Sequence, residues 1–422
     1  MHRPSFTRAL SAVSATALVL GSLALAGPAS AEPAPRATAQ GSSDIALRGG
    51  AYGTRIEGGQ VPADSGTTAF VVVSCTTDIG LTRNNAVADA ELPSLGDVSA
   101  VKSRIWTRKK GQERHSYSRN STAEVVLAES PLGKLSIRGI TSLSHAWYDG
   151  ERFNAETSTS IGKIVFTPPV GGPQEIDIPT PGQPVTIPGV ATIRLGQSNV
   201  QKSATGAQAW AVALRVTLIP TGTDVFVARS KAQAVSGVKN GRFGGYSAGT
   251  EASVLGGVLT SGRNPLTRMP CQGTNGKTIG KDNADLDLGG GLHVEGVSSK
   301  AWGKRFANRS KAWEQGSVAG LDLGDGALQV EAVVARATVT RMAGGKLVRS
   351  TKGTRIGSIT VNGETQELPI DQVIEIPGVA KLEPKVVEKL PAGLKVIGLR
   401  ITLLDGEGAV IDLGVAKTTI KK

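Results

Sequence analysis

A long segment that occurs twice in one chain means that one supersecondary unit has been built twice. Here Cys75 to Trp106 returns without a gap as Cys271 to Trp302. Cys75 falls on Cys271, Ala88-Asp89 on Ala284-Asp285, Leu92 on Leu288, Val98 on Val294 and Trp106 on Trp302. Upstream, Gly49, Gly53-Thr54 and Ser65-Gly66 fall on Gly245, Gly249-Thr250 and Ser261-Gly262. Downstream, Ile187-Pro188-Gly189-Val190-Ala191 returns as Ile376-Pro377-Gly378-Val379-Ala380, and Leu214 to Leu218 as Leu399 to Leu403. A turn follows each of the latter, Pro220 to Thr223 and Asp405 to Gly408. Val225-Phe226-Val227 and Val410-Ile411 then start a return strand, so both copies close on a β-hairpin.

The segments between these anchors are rich in Val, Ile and Thr and are punctuated by Gly, Pro and Asn, which predicts many short strands. Thr68 to Cys75 is one candidate, with Phe70-Val71-Val72-Val73 as a buried run. Leu135, Ile137, Ile140 and Leu143 mark another, whose period slips and so needs a bulge. Its counterpart Leu328-Gln329-Val330-Glu331-Ala332 alternates until Val333-Val334 shifts the phase. Pro384 to Leu390 is the one stretch that reads as a helical turn or two. The fold expected is all-β: two tandem homologous domains, each a β-sandwich or a partly closed barrel. Residues 45–232 form the first, 233–244 a polar linker and 245–422 the second. A parallel β-solenoid is the alternative, although this repeat is far longer than a solenoid rung.

Met1 to Ala31 has the three parts of a secretory signal: Arg3 and Arg8, an apolar run, and Ala29-Ser30-Ala31 as a small-x-small cleavage pattern. A retained membrane anchor is the alternative. Residues 32–44, rich in Pro, Ala and Ser, read as a disordered leader. Export places the protein outside the membrane, with no span in the mature chain. Removing Arg3 and Arg8 takes the formal charge from +12 to +10, so the exported chain stays basic. Its natural partners there are anionic wall polymers, acidic polysaccharides and lipid headgroups, rather than nucleic acid.

The secretory signal, the repeated block and the Gly-Thr/Cys/Trp framework together resemble the actinobacterial choice-of-anchor P family. The likeness is clearest at Ala51-Tyr52-Gly53-Thr54 and at the Cys75 segment with Asn84-Asn85-Ala86-Val87. It implies an exported surface protein, and carries over no catalytic residue. The chain closes on Lys417-Thr418-Thr419-Ile420-Lys421-Lys422, without a Pro-x-Thr-Gly sorting signal or a terminal apolar span, so release or non-covalent retention is expected.

Several residue patterns suggest chemistry. Gly245-Tyr246-Ser247-Ala248-Gly249 matches the G-x-S-x-G of a hydrolase elbow, but the first copy keeps glycines at Gly49 and Gly53 and puts Ala51 where Ser247 stands. The glycines therefore belong to the architecture, and an exported hydrolase is the weakest reading. The four histidines, His2, His115, His145 and His293, have no metal-ligand spacing. Asp282, Asp285, Asp287, Asp322 and Asp325 either collect Ca²⁺ or, as the Asp285-Leu286-Asp287 alternation suggests, face solvent from a strand. No metal or cofactor is expected.

Trp106 and Trp302 are either core residues, as a low aromatic supply of 4% suggests, or paired stacking platforms for sugars. Around them lie Arg104, Arg108, Lys109 and Lys110 in the first copy and Lys300, Lys304 and Arg305 in the second. These cations either protect strand edges or form a paired face for an anionic polymer. Cys75 and Cys271 can make only one intramolecular pair. An exported chain normally oxidises such a pair, which would staple equivalent points of the two repeats; two separate buried thiols are the alternative. These readings imply a non-enzymatic structural or adhesive protein of the cell envelope or extracellular space. A module that binds carbohydrate or anionic wall polymer is the second reading.

Overall fold

The period-2 segments form strands throughout, and every strand pairing is antiparallel. The structure is a computed structural model that describes residues 45–57, 67–92, 96–130, 133–237, 241–253, 260–287, 292–324, 326–367, 372–404 and 409–422. The signal segment 1–31, the leader 32–44, Asp325 and the Asp405-to-Gly408 turn lie outside these residues. Among the described residues no helix is long and apolar enough to cross a membrane.

Among the described residues four open sheets result, and none closes into a barrel. Sheet I runs Val185–Ile187, Ala191–Leu195, Gly206–Leu218, Thr223–Val235, Ala46–Glu57, Val71–Thr76, with Ser198–Ser203 beside Gly206–Leu218. Sheet II runs Thr82–Leu92, Gly96–Lys110, Glu113–Ser130, Gly133–Tyr148, Lys163–Thr167, Gln174–Ile176, with Phe153–Ser160 also on Gly133–Tyr148. The second copy repeats the plan. Sheet III runs Thr260–Arg268, Arg242–Ser253, Val410–Lys421, Gly393–Leu403, Ala380–Leu390, Ile374–Ile376. Sheet IV runs Ile279–Asp287, Leu292–Phe306, Arg309–Leu323, Leu328–Met342, Ser358–Val361, Glu364–Glu367, with Leu347–Ser350 also on Leu328–Met342. Sheet I faces sheet II across a core containing Ile193, Leu214, Val216, Val125 and Ile137. Sheet III faces sheet IV across Leu399, Ile401, Leu413, Val318 and Val330. Each copy is thus a sandwich, and the antiparallel ladders exclude the solenoid.

The repeated residues explain why both copies fold alike. A Cβ on Gly53 would sit 2.2 Å from the Val101 side chain, and one on Gly249 2.8 Å from that of Val297, so only glycine lets the two sheets approach. The threonine that follows ties the next strand: Thr54 Oγ1 lies 2.9 Å from Thr68 Oγ1, and Thr250 donates to the Asn264 carbonyl at 3.2 Å. The predicted phase slip is present in both copies. Burial changes parity at Gly139 and Ala332, each with positive φ, where the ladder skips a residue. Ile140 is core, whereas Leu143 faces outward and is half-buried.

Three expectations change. Pro384 to Leu390 is strand, because Ala380–Leu390 pairs with Gly393–Leu403; the ladder skips Lys385 at positive φ, just after the proline. The 233–244 linker is shorter, since Thr223–Val235 continues into it and Arg242–Ser253 begins before its end. Of the Phe70 to Val73 run only Val71 and Val73 are buried, because Val71–Thr76 is an edge strand with one face turned away from the core.

Candidate anion-binding groove between the repeats

The two sandwiches meet where sheet I approaches sheet III. Cys75, on the edge strand of sheet I, is bridged to Cys271, which follows Thr260–Arg268; their Cα atoms are 5.4 Å apart. Both cysteines are buried, together with Ala46 and Val235. The expected disulfide is therefore present, and it joins equivalent positions of the two copies. Head-to-tail translation would keep such positions far apart, so the copies turn toward each other at this point. Arg305 clamps the same seam, donating to the carbonyls of Gly237 at 2.7 Å, Gly241 at 3.1 Å and Cys271 at 3.4 Å. Arg242 donates to Thr77 Oγ1, and Gln272 to the Ser236 carbonyl.

Strand alternation builds a groove beside this seam. On Thr223–Val235, Ser230, Ala232 and Ala234 point into the first sandwich, so Arg229, Lys231 and Gln233 point out. Across the ladder stand Tyr52, Gly50 and Arg48 respectively. The facing wall carries Arg263 and Arg268 from Thr260–Arg268 and Lys281 from Ile279–Asp287. Together they line a cavity of about 860 Å³. Two of its cations are neutralised: Arg55 pairs with Glu57 at 2.6 Å, and Arg263 with Glu251 at 2.6 Å. Arg48, Arg229, Lys231, Arg268 and Lys281 make no ion pair among the described residues.

That excess charge is under electrostatic stress. Burial, and then Arg48, Arg229, Arg268 and Lys281, push the Lys231 ammonium down to about 8. Burial, followed by Arg48, Arg263 and Arg229, also lowers Arg268. Burial lowers Arg48, with Glu314 acting in the opposite direction. Aromatic faces hold the guanidiniums in place. Arg229 lies 5.7 Å from the ring centres of both Tyr52 and Trp210, and Arg268 lies 5.8 Å from that of Phe70. Planar forks fixed in a recessed site suit carboxylate or phosphate, and the reduced dielectric strengthens each contact.

None of the cations singled out from the sequence lines this groove. Arg104, Arg108, Lys109 and Lys110 are exposed along the outward face and hairpin end of Gly96–Lys110 in sheet II. Lys300 and Lys304 point outward from sheet IV, half-buried and exposed respectively. Arg305 leaves the set, because its guanidinium is committed to the seam. Trp106 and Trp302 are not core residues: both face outward, half-buried, since Ile105 and Ala301 take the inward positions. Trp106 stacks on Tyr117 at 4.8 Å, and Tyr117 on His145 at 4.0 Å, which covers a face that a sugar would need. Trp302 donates to the Gly276 carbonyl at 2.8 Å.

Two histidines that looked isolated in sequence meet in this stack. His115 Nδ1 is 2.9 Å from His145 Nε2, and the outer nitrogens reach Glu113 at 3.0 Å and Glu156 at 2.9 Å. Burial lowers His145, opposed by the hydrogen bond to Glu156. Ser247 lies fully buried in mid-strand rather than on a strand-to-helix elbow. Asp285 is exposed while Leu286 is buried, and Asp322 accepts hydrogen bonds from the Gly326 amide and the Gln329 side chain.

No family model matches the chain, and no curated protein matches it. A crystal structure of an AttH candidate from Nitrosomonas europaea aligns with 89% of this chain and 94% of its own at 8% identity. Its TM-score of 0.15 is too low to carry an argument.

Proposed function

We propose that the protein is a non-enzymatic exported protein of the cell envelope, structural or adhesive in role, that works by holding an anionic ligand in the groove between its repeats. The observation that carries this reading is the set Arg48, Arg229, Lys231, Arg268 and Lys281, gathered in one recess without carboxylate partners. Like charges brought together and partly desolvated oppose folding unless a counter-charge joins them. The secretory pattern at Met1 to Ala31 and the resemblance to exported choice-of-anchor P proteins support a wall polymer or acidic polysaccharide as the source of that charge.

Thermal unfolding in the presence of polygalacturonate and of neutral dextran tests the reading. Polygalacturonate raises the midpoint at low salt, dextran does not, and the gain fades as screening shortens toward roughly 3 Å at 1 M salt. Arg229→Gln with Lys231→Met removes the gain, whereas Arg108→Gln with Lys109→Gln leaves it. A midpoint indifferent to every anion, or a gain lost only with the Arg108 and Lys109 pair, would refute the groove.

A further inference from the structure

The groove continues past Arg268. A second cavity of about 410 Å³ lies along the same seam, and Arg48, Phe70, Arg263 and Arg268 line both chambers. Its own cations are Lys417 and Lys421, neither in an ion pair among the described residues. Lys417 is the repeat counterpart of Lys231: Lys231 stands opposite Gly50 in the ladder, and Lys417 opposite Tyr246, the residue that replaces Gly50 in the second copy. Each copy thus contributes the same lysine to its own chamber. Burial lowers both Lys417, where Lys395 adds to the effect, and Lys421, where Arg242 does. Lys281 is exposed and the other cations are half-buried rather than enclosed, so solvent reaches both chambers.

We infer that the groove takes a linear polyanion, which runs along the seam past Arg48 and Arg268 and presents charged groups to both chambers. This rests on the anion-binding reading above and narrows its ligand class. One small anion in the larger chamber leaves Lys417 and Lys421 without a counter-charge. A polymer with regularly spaced phosphates or carboxylates neutralises both sets at once, and its second contact is intramolecular, which raises affinity without any new kind of interaction. Each chamber alone has the size of an ordinary small-ligand pocket, roughly 300–1,000 Å³. It is the cations at both ends that call for a longer ligand.

The test is titration calorimetry on the full disulfide-bonded chain with two series at fixed salt. One is orthophosphate, tripolyphosphate and long-chain polyphosphate; the other is galacturonate, its trimer and polygalacturonate. The long members of at least one series bind tighter than the monomer by about tenfold or more, beyond the statistical gain from repeated groups. Lys417→Met with Lys421→Met removes that excess, leaves orthophosphate binding in the larger chamber near wild type and does not lower the melting midpoint, while Lys417→Arg with Lys421→Arg retains it. The series that responds identifies phosphate or carboxylate as the recognised group. If monomers bind but length adds nothing, or the Met pair weakens short and long members equally, the seam-spanning polymer is refuted while anion binding stands. If neither series binds, anion binding itself fails.

Discussion

The two repeats share a backbone plan but fill the same interior differently. Where the sheets of the first copy come closest, Ser103, Ser116, Ser118, Asn120, Thr122, Ser142, Ser144 and Ser230 are all buried. Ser230 sits 2.6 Å from Ser142 and 2.8 Å from Ser144, while Asn120 donates to Ser103 at 2.9 Å. At the equivalent places the second copy has Ala312, Gly316, Val318, Ala335, Ala337 and Ala416, and keeps Ser299. What the site demands is smallness: a Cβ on Gly49 would meet the Ile105 side chain at 2.5 Å, and one on Gly316 the Ala248 carbonyl at 2.0 Å. Hydroxyls that find partners, as all of these but Ser118 do, and methyl groups that need none both answer that demand.

Glu314 breaks the pattern. It replaces Ser118 with a fully buried carboxyl in an alanine-lined interior, and burial raises its pKa well above the ordinary range. Ser247 lies 3.0 Å from Glu314 Oε2 and 2.9 Å from the Lys300 carbonyl. Its single proton can serve only one of them. A neutral Glu314 resolves this by donating to Ser247, which then donates to Lys300.

Cutting the joint between the copies tests the contrast most strongly. Cys75→Ser with Cys271→Ser opens a loop spanning a sequence separation of 196. In the chain-entropy relation such a loop is worth about 5 kcal/mol. Denaturant unfolding should lose stability of that order and split into two transitions, one for each interior. A single unshifted transition would mean that the sheet contacts alone couple the repeats.

The next effect separates Lys231 from its counterpart Lys417. Lys231 titrates near 8 in the folded chain, against an ordinary 10.5. The unfolded chain therefore holds more protons between those values, so stability rises with pH across that window, and the cost of the charged lysine is fullest below it. Lys231→Met should stabilise the ligand-free protein at neutral pH by up to about 3 kcal/mol, with the gain fading toward alkaline pH. Lys417→Met should give a smaller gain. Paired melts at graded pH check both.

For Glu314 the sign is opposite. A raised folded pKa means that the folded chain keeps a proton that the unfolded chain releases, so its contribution is fullest below about 4.5 and is lost as pH rises. Glu314→Gln should match wild type in acid and gain on it above, with a slope approaching about 1.4 kcal/mol per pH unit. Chemical denaturation at several pH values reads the slope; parallel curves would place a charged Glu314 in the fold.

Smallest is the hydroxyl network. Ser230→Ala removes the partner shared by Ser142 and Ser144 and should cost about 1–2 kcal/mol. Replacing all three by alanine copies the second repeat, and should cost less than the single change. Denaturation midpoints of the two variants decide whether the network acts as a unit.

Much of this molecule was legible in the sequence, for physical reasons that also mark the limits. The all-β fold and the phase slip at Ile140 and Val333 follow from residue alternation, and the bridge follows from two cysteines in a chain that opens on a secretory pattern. Gly53 and Gly249 announced themselves by recurring. Trp106 was open to a better reading, since Ile105 and Thr107 occupy the inward positions and force their neighbour outward. Scarcity of aromatics said nothing about direction. The groove was the hardest to see. Arg229-Ser230-Lys231-Ala232-Gln233 alternates cation and small residue, which is a strand with one wet face, but its polarity resembles a linker. Arg263, Arg268 and Lys281 come from the other copy, and alternation within one strand cannot say which surface will face it. Likewise, nothing in the spacing of His115 and His145 tells that adjacent strands set them side by side.

The bridge also changes how the chain would carry a mechanical load. Pulled from its two ends, an unbridged polypeptide pays out every residue, at roughly 3.3–3.6 Å each. With Cys75 joined to Cys271, tension passes straight across the sulfurs, and the intervening 196-position span bears none of it. All of sheet II, most of sheet I and the Arg242–Ser253 and Thr260–Arg268 strands of sheet III lie within that sheltered span. Forced extension would draw out Ala46–Glu57, sheet IV and the strands of sheet III that follow Cys271, while on the order of 650 Å of contour stays in reserve. Reduction would release that length at once, making the seam a tether whose reach is set by its redox state.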